Sequence, residues 1–132
     1  MRLDPDMMIE ALEGRTWAIA RTVKREIDAV APFAECGLAM GVPTWSVHHR
    51  VVSLIPFPAK CNLHFWQGER LEALVPGRLR GTNAGSIRFL ELHSMLDVDG
   101  DVRALIREAF SLTLSDLAKE EAARESNAAL QF

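Results

Sequence analysis

Four reactive or ligating side chains lie within five consecutive positions of the segment FPAKCNLHFWQGERL, residues 57–71. They are Lys60, Cys61, Asn62 and His64. A thiol beside an imidazole is a common pair for nucleophilic catalysis, and the same two groups are frequent zinc ligands. Which chemistry is available depends on whether these side chains share one face of the element that carries them.

Residues 61–66 have the composition of a strand, in which successive side chains point to opposite faces. Cys61 and His64 therefore lie on opposite faces and cannot form a thiolate–imidazolium pair. Cys61 shares an apolar face with Leu63 and Phe65. We expect this face to pack against helices, with the thiol as a small buried hydrophobe. Since no other nucleophile has a base at a recognisable spacing, the sequence favours a protein that is not an enzyme.

The other face of that strand carries an amide, an imidazole and an indole. A later strand repeats the alternation, with Ile87 and Phe89 toward the helices and Arg88 toward the open side. The turn at Pro43 starts a strand from which Trp45 can overhang the open side. Aromatic walls around a few hydrogen-bonding groups are typical of small-molecule pockets. The predicted ligand-binding residues are Trp45, Asn62, His64, Trp66 and Arg88.

Such a site favours a small acidic or polar ligand, because an arginine and an amide can orient a carboxylate or a carbonyl. The leading interpretation is thus a non-enzymatic protein that binds a small molecule or a partner. One alternative is a solvated sheet face on which Trp66 covers an edge, since exposed polar residues are ordinary on antiparallel strands. Another is an enzyme that acts on an unknown small molecule.

The sequence predicts no metal site and no cofactor. Its histidines and cysteines show neither CxxC nor HExxH spacing. The segment DVDGD, residues 97–101, has alternate acids like a calcium loop, but Gly100 stands at the fourth position and an EF-hand needs glycine at the sixth. Acids before a long helix are better explained as an N-cap near the positive end of the helix dipole.

The composition is that of a globular protein, with 132 residues of which 48% are hydrophobic and 25% are charged. A net charge of −3 gives no basic excess for phosphates, so we expect no nucleic-acid partner. No stretch approaches the roughly 18 apolar residues of a membrane span, so we expect no membrane partner. Two cysteines are too few for a disulfide scaffold, which favours reduced thiols and a cytoplasmic location.

The elements that position the predicted ligand-binding side chains follow one another along the chain as two helices, several strands and a last helix. Asp4 and Pro5 have the residue types of an N-cap and a first helical position. A second, amphipathic helix ends before Pro32, and proline and glycine then separate short segments rich in β-branched and aromatic residues. The predicted strands are Glu35–Met40, Thr44–His48, Val51–Phe57, Cys61–Trp66 and Ile87–Leu92.

This order predicts an α+β fold in one domain over residues 1–132. We expect a central antiparallel sheet of about five strands, with the N- and C-terminal helices packed on one face. From Asp101 onward there is neither glycine nor proline, which favours one long helix. Its tail, about residues 116–132, has little apolar surface beyond alanine, so it projects, frays or forms a homodimer through the C-terminal helix.

Several short motifs occur in a recognisable order. A Gly-x-Pro-Thr-aromatic turn spans residues 41–45, Lys60 ends an apolar strand, an Asn/His-rich strand follows, and Gly81 and Thr82 precede the strand with Arg88. Over about residues 10–115 the chain thereby resembles the YdhG-like family of small bacterial domains of unknown function, from which it departs at Met40, where an aromatic residue is frequent. The resemblance implies an α+β sandwich loosely like frataxin. It also implies an alternative function as a frataxin-like iron-binding or iron-chaperone protein.

Overall fold

The computed structural model describes residues 4–81 and 85–130, so Thr82 of the predicted glycine–threonine turn lies outside the described residues. Two helices precede the sheet, α1 (Pro5–Glu10) and α2 (Gly14–Val30). The strands are β1 (Glu35–Ala39), β2 (Val42–Val47), β3 (His49–Phe57), β4 (Lys60–Phe65), β5 (Arg80–Gly81) and β6 (Arg88–Leu92). Short 3-10 turns span Gly68–Leu71 and Met95–Asp97, and α3 spans Gly100–Leu130.

The two N-terminal helices follow their sequence signals. The Asp4 carboxylate accepts the Met7 N–H at 2.8 Å, which confirms the predicted N-cap of α1. In α2, three aliphatic residues recur at every fourth position and form a fully buried stripe toward β3 and β4. These residues are Ile19, Val23 and Ile27.

The strands form one antiparallel sheet of six strands in the order β1-β2-β3-β4-β6-β5. Tight turns join β1 through β4, as the short segments between them predict. Met40 and Gly41, with φ of 53° and 79°, form the first turn, and His48, with φ of 62°, lies in the second. The sequence predicted about five strands. The additional strand, β5, has only two residues and is too short to show an alternation of side chains.

The helices cover one face of the sheet, so the predicted α+β class and the packing of both terminal helices on one face are confirmed. The covered face and the inner stripes of α2 and α3 form a single hydrophobic core. Its largest fully buried side chains include Trp45, Leu54, Leu63, Phe65, Leu92, Leu105, Ile106 and Phe110. The opposite sheet face is called the open face below; it carries Thr44, Ser53, Asn62, His64 and Phe89.

The pairing of β4 with β6 corrects one prediction. Leu63 lies opposite Leu90 on the helix-covered face, and His64 lies opposite Phe89 on the open face. The prediction that Phe89 faces the helices is therefore wrong, and Ile87 lies just ahead of the strand. A shift of one residue in a strand exchanges its two faces, so the same correction applies to every side chain of β6.

The physical reason for this register is the charge of Glu91. With Phe89 inward, the same alternation would direct Glu91 into the core, where an unpaired carboxylate is very costly. Leu90 and Leu92 take the inward positions instead and are almost completely buried. Both alternating sets of positions in this strand contain apolar residues, so the alternation in the sequence did not show which set faces the core.

The long helix α3 has two different halves. Its first part buries Val102, Phe110 and Thr113 among other core residues, whereas every residue from 118 to 130 is exposed. No helix within the two described ranges combines the length and the apolar character needed to cross a membrane.

Candidate functional site

Of the five predicted ligand-binding residues, three come together on the open face. Asn62 and His64 project from β4, and Trp66 follows the strand end, held by a hydrogen bond from its backbone N–H to the Val51 carbonyl at 3.0 Å. The other two predicted residues, Trp45 and Arg88, do not join them. Both lie on the helix-covered side of the sheet, because Trp45 is opposite Val52 in the register and Arg88 is opposite Phe65.

Trp45 is a core residue. Its side chain is 1% exposed, so it cannot form a wall of an open groove. The polar residues on either side of it, Thr44 and Ser46, were the signal for this orientation, because alternation directs a tryptophan between two polar residues inward. Its indole Nε1 is buried without a hydrogen-bond partner among the described residues.

Arg88 organises the loops around the start of β6. Its guanidinium forms an ion pair with Glu72 and donates to the backbone carbonyls of Gly85 at 2.6 Å and Ile87 at 2.9 Å. Gly68 packs so closely on it that a β-carbon added there would come within 2.4 Å of the Arg88 Cβ. These contacts make Arg88 a structural residue, and its predicted position beside His64 is wrong.

A chain of hydrogen bonds crosses the open face beneath Trp66. The Trp66 indole N–H donates to Ser53 Oγ at 2.8 Å, and Ser53 Oγ lies 2.8 Å from Thr44 Oγ1. Thr44 Oγ1 in turn donates to the Val42 carbonyl at 3.2 Å. Since each hydroxyl has one proton, Ser53 must donate to Thr44, and every group in the chain is satisfied. The Arg50 guanidinium lies 5.0 Å from the centroid of the Trp66 ring and stacks on it.

Asn62 and His64 differ from that satisfied network. Asn62 Oδ1 and His64 Nε2 are both buried, and neither has a hydrogen-bond partner among the described residues. The His64 ring stacks on Phe89, with ring centroids 5.0 Å apart and planes 15° from parallel. Burial lowers the pKa of His64, so the imidazole is neutral at neutral pH. A neutral imidazole nitrogen can donate or accept, depending on its tautomer.

The end of the open face near Asn62 carries a group of charges around Glu91, which is opposite Asn62 in the register. Lys60 Nζ lies 2.9 Å from the Glu91 carboxylate, His93 Nε2 lies 3.2 Å from it, and Arg80 lies 3.9 Å from it. The hydrogen bond from Lys60 is the main reason that the pKa of Glu91 is lowered. With two permanent cations around one carboxylate, this end of the face has a local positive excess.

The two cysteines are not joined, and neither is an activated nucleophile. Cys61 is buried in the core as predicted, with Sγ 3.7 Å from the Thr16 carbonyl, and burial raises the pKa of its thiol to about 11. Cys36 is exposed on β1, but desolvation of its sulfur and the nearby Asp6 carboxylate raise the pKa of this thiol to about 12. Both thiols are therefore protonated at neutral pH, whereas thiol catalysis needs the thiolate.

Asp99 and Asp101 lie at the start of α3, as the sequence predicted, whereas Asp97 caps the preceding 3-10 turn by accepting the His93 and Ser94 N–H groups. Asp99 Oδ1 accepts the Val102 N–H at 3.1 Å, and the Arg78 guanidinium holds both Asp99 oxygens at 2.9 and 3.0 Å. These hydrogen bonds, with that from Arg78 the largest cause, lower the pKa of Asp99. Within residues 4–81 and 85–130, no three His, Cys, Asp or Glu side chains are grouped to hold a metal ion.

Sequence reasoning missed Ser53 and Phe89, which complete the open face around His64. Ser53 is the one hydroxyl in the apolar run VVSLIPF, and its polarity at an otherwise buried strand was the available signal. Comparisons with known proteins found no matching family model, no matching curated protein and no matching solved structure. The geometry of the open face is therefore the basis for inferring a function.

Proposed function

We propose that this domain binds a small planar molecule with an acidic or polar group on the open face, over Asn62 and His64. The observation that carries the proposal is the pair of buried polar atoms, Asn62 Oδ1 and His64 Nε2, which have no hydrogen-bond partner among the described residues. A buried polar group without a partner costs about 1–3 kcal/mol. A ligand that supplies both hydrogen bonds recovers this free energy, because it satisfies groups that the protein alone leaves unpaired.

The hydrogen-bonding pattern defines one part of the ligand. Asn62 Oδ1 is an acceptor and needs a donor, such as the N–H of an amide or of a ring nitrogen. The neutral His64 nitrogen can match either a donor or an acceptor on the same molecule. Side chains two positions apart on one strand face the same way, so both atoms can contact a single planar group.

The stacked rings of His64 and Phe89 determine how the planar group of the ligand reaches the two polar atoms. Asn62 Oδ1 and His64 Nε2 are shielded from solvent, so a ligand reaches them only when a neighbouring side chain moves. Phe89 lies flat on the His64 ring and is itself only half-buried. Rotation of Phe89 away from His64 opens a path for a planar group to reach the edge of the imidazole, in the ring plane along which the Nε2 hydrogen bond is directed.

The charges around Glu91 define the acidic part of the ligand. Lys60 and Arg80 supply two cations within 4 Å of the Glu91 carboxylate. An anionic group of the ligand can therefore pair with one of these cations while Glu91 keeps its ion pair with the other. The sequence predicted that Arg88 would bind the acidic group of the ligand; in this proposal Lys60 and Arg80 bind it instead. A molecule with a planar donor group and a carboxylate a few atoms away matches Asn62, His64 and Lys60 together.

The proposed activity is binding rather than catalysis, and it is supported by two cysteine thiols whose raised pKa values keep them protonated. We further propose membership of the YdhG-like family, supported by the order of motifs from Gly41 to Arg88. A cytoplasmic location is supported by these two unpaired thiols.

The test combines stability with binding. Orotate carries a planar ring with N–H donors and a carboxylate, uracil has the same ring N–H donors without the carboxylate, and cyclohexanecarboxylate is acidic but is neither planar nor a donor. In NMR titrations of the labelled protein, we expect orotate and uracil to shift the Asn62 side-chain amide and the His64 ring signals. We expect cyclohexanecarboxylate to leave both sets of signals unchanged.

The double variant Asn62→Leu/His64→Phe removes both unpaired polar atoms while keeping their volume. We expect it to unfold at a higher temperature than the wild type and to lose the orotate response, because apolar groups suit an unsatisfied buried position better. The control is His49→Phe, an exposed histidine at the far end of β3, which should keep the response. A double variant that is less stable, or that still binds orotate, would contradict the proposal.

A further inference from the structure

The two edges of the sheet are protected very differently. On one edge, β5 has only two residues and one of them is Arg80. On the other edge, β1 is five residues long, contains no lysine, arginine or proline, and pairs on one side only among the described residues. Edge strands of native proteins are usually short, charged, bulged or covered, because their free N–H and C=O groups are ready to pair with another strand. β1 has none of these protections apart from Glu35 at its start.

Large apolar side chains are exposed along and on both sides of this edge. Phe33 before β1 is 52% exposed, Leu38 within it is 41% exposed, and Met40 after it is 78% exposed. Met40 also has a φ of 53°, a conformation that costs a residue with a β-carbon free energy and is usually left to glycine or asparagine. A strained turn that presents a methionine to solvent is a reason to look for a contact made outside the chain.

We propose that β1 pairs with β1 of a second copy of this chain, antiparallel about a two-fold axis through Gly37, to form a continuous sheet across the dimer. Paired residues in an antiparallel ladder point to the same face, so the two-fold axis must pass through a residue position, and Gly37 is the centre of β1. Around this axis Cys36 faces Leu38 of the second copy, and Glu35 faces Ala39. No two like charges are then directly opposite in the new strand pair.

The same axis explains why the exposed apolar residues lie where they do. Residue 40 of one copy comes opposite residue 34 of the other, beside Phe33. Met40 therefore packs against Phe33 and Ala34 of the second copy, and the contact occurs twice because the interface is isologous. Phe33 is held in place by an edge-to-face contact with Phe110, with ring centroids 6.4 Å apart, so the surface that receives Met40 is preformed. Phe33 and Met40, at the two ends of β1, complement each other only when a second copy of the same strand pairs with it, which favours a second copy over a peptide from another protein.

Electrostatics set the conditions for association. Desolvation is the main cause of the raised pKa of Cys36, and the nearby Asp6 and Asp28 carboxylates add to it; Lys24 neutralises only part of their charge through contacts of 3.5 Å and 2.8 Å. Each chain also carries a net charge of −3. Two such edges repel each other, and salt screens that repulsion, so the dimer should become tighter as ionic strength rises.

The experiment is sedimentation equilibrium of the full chain at concentrations up to about 1 mM, at low and moderate salt. Leu38→Glu adds a second negative charge to an already acidic edge, and the matched control is Leu114→Glu, because Leu114 is 42% exposed on α3. We expect a wild-type dimer, at least about tenfold weaker association for Leu38→Glu, and unchanged association for Leu114→Glu, with equal melting temperatures for the two variants. A monomeric wild type would overturn the proposal. Loss of the dimer in Leu114→Glu alone would overturn it in favour of the C-terminal helix.

A cross-link tests the axis directly. A β-carbon at Gly37 has no atom within 4 Å, so Cys36→Ala/Gly37→Cys should fold normally. Opposed residues of an antiparallel pair have Cα atoms about 4.5–5.5 Å apart, which suits a disulfide. We expect this variant to form a disulfide-linked dimer under mild oxidation, and its failure to do so where the wild type is dimeric would refute the Gly37 axis.

Discussion

His64 and Phe89 lie opposite each other on β4 and β6, with their rings stacked at 5.0 Å and 15° from parallel. This single contact fixes which face of β6 meets the helices, because the neighbouring pair of Leu63 and Leu90 must then point into the core. It also places an aromatic ring directly on a buried, neutral imidazole. The fold and the candidate site therefore depend on the same register.

Phe65 is the largest side chain that β4 contributes to the core, and it is completely buried. Replacing it by alanine should reduce the free energy of unfolding by about 3–5 kcal/mol, through lost burial and the cavity left behind. Urea denaturation followed by far-ultraviolet circular dichroism measures this change. Phe57→Ala is the control, because Phe57 is 40% exposed at the end of β3 and its loss should cost much less. Equal costs for the two variants would contradict the register of β4.

Gly68 is fixed by its contact with the start of β6. A β-carbon there would lie 2.4 Å from the Arg88 Cβ and 2.7 Å from the Arg88 backbone nitrogen, so Gly68→Ala forces the 3-10 turn and β6 apart. We expect a loss of about 1–3 kcal/mol in the free energy of unfolding. Gly37→Ala is the matched control, since nothing lies within 4 Å of its added carbon. Thermal unfolding of both variants decides the point, and a Gly68→Ala protein as stable as Gly37→Ala would disprove the close packing.

The neutral state of His64 predicts a dependence of stability on pH. Burial lowers the folded-state pKa of His64 below its ordinary value of 6.5, so the unfolded chain binds this proton more readily than the folded protein. Stability is therefore complete above pH 6.5 and falls as the pH drops through that value toward the lower folded-state pKa. Melting temperatures between about pH 8 and pH 5 measure the loss.

His64→Phe should flatten this part of the curve, whereas His49→Phe should keep it. The carboxylates with lowered pKa values are Glu91, Asp99 and Asp116, and their stabilising contribution is complete above their ordinary values of 4.5, 3.8 and 3.8 and is lost only as the pH falls below them. Their effects therefore fall outside the window of His64. An unchanged slope in His64→Phe would show that His64 is not the group that titrates.

Asp99 serves both as the cap of α3 and as the partner of Arg78. Asp99→Ala removes the acceptor for the Val102 N–H and leaves Arg78 with only its longer contact to Asp101, 3.2 Å, and a backbone carbonyl. We expect a loss of about 1–2 kcal/mol, measured by chemical denaturation. Asp101→Ala removes only that longer contact and should cost clearly less. The opposite ranking would show that Asp101, and not Asp99, anchors the helix.

The elements of this fold were predictable because their signals are local. Asp4 and Pro5 mark the start of α1, and the alternation of Cys61, Leu63 and Phe65 gives β4 its correct inward face. The alternation of β6 was ambiguous, because Phe89 is as apolar as the leucines that flank Glu91. The orientation of β6 becomes clear only when Glu91 is considered, because the orientation with Phe89 inward would also bury the Glu91 carboxylate.

The site was partly predictable for the same reason. Asn62, His64 and Trp66 share the open face because one strand and its end determine them. Arg88 depends on how β6 pairs with β4, and that pairing involves the core as a whole. The inward position of Trp45 could have been predicted from its polar neighbours Thr44 and Ser46. Contacts between distant segments, such as the hydrogen bond of Trp66 to Ser53, leave no trace in spacing along the chain.

The contrast between the two halves of α3 has a consequence for the exchange of amide hydrogens with solvent. Residues from Val102 to Thr113 bury their inner face in the core, so their amides should exchange only when the whole domain unfolds. Residues 118–130 are exposed, and the contact of Glu120 with His49 at 3.7 Å lies between two exposed side chains. A helix segment of this length without buried tertiary contacts is marginally stable in water. Their amides should exchange through local fraying that starts at the end of the helix. One continuous helix would thus contain two cooperative units, divided close to the ion pair that joins Arg70 to Asp116.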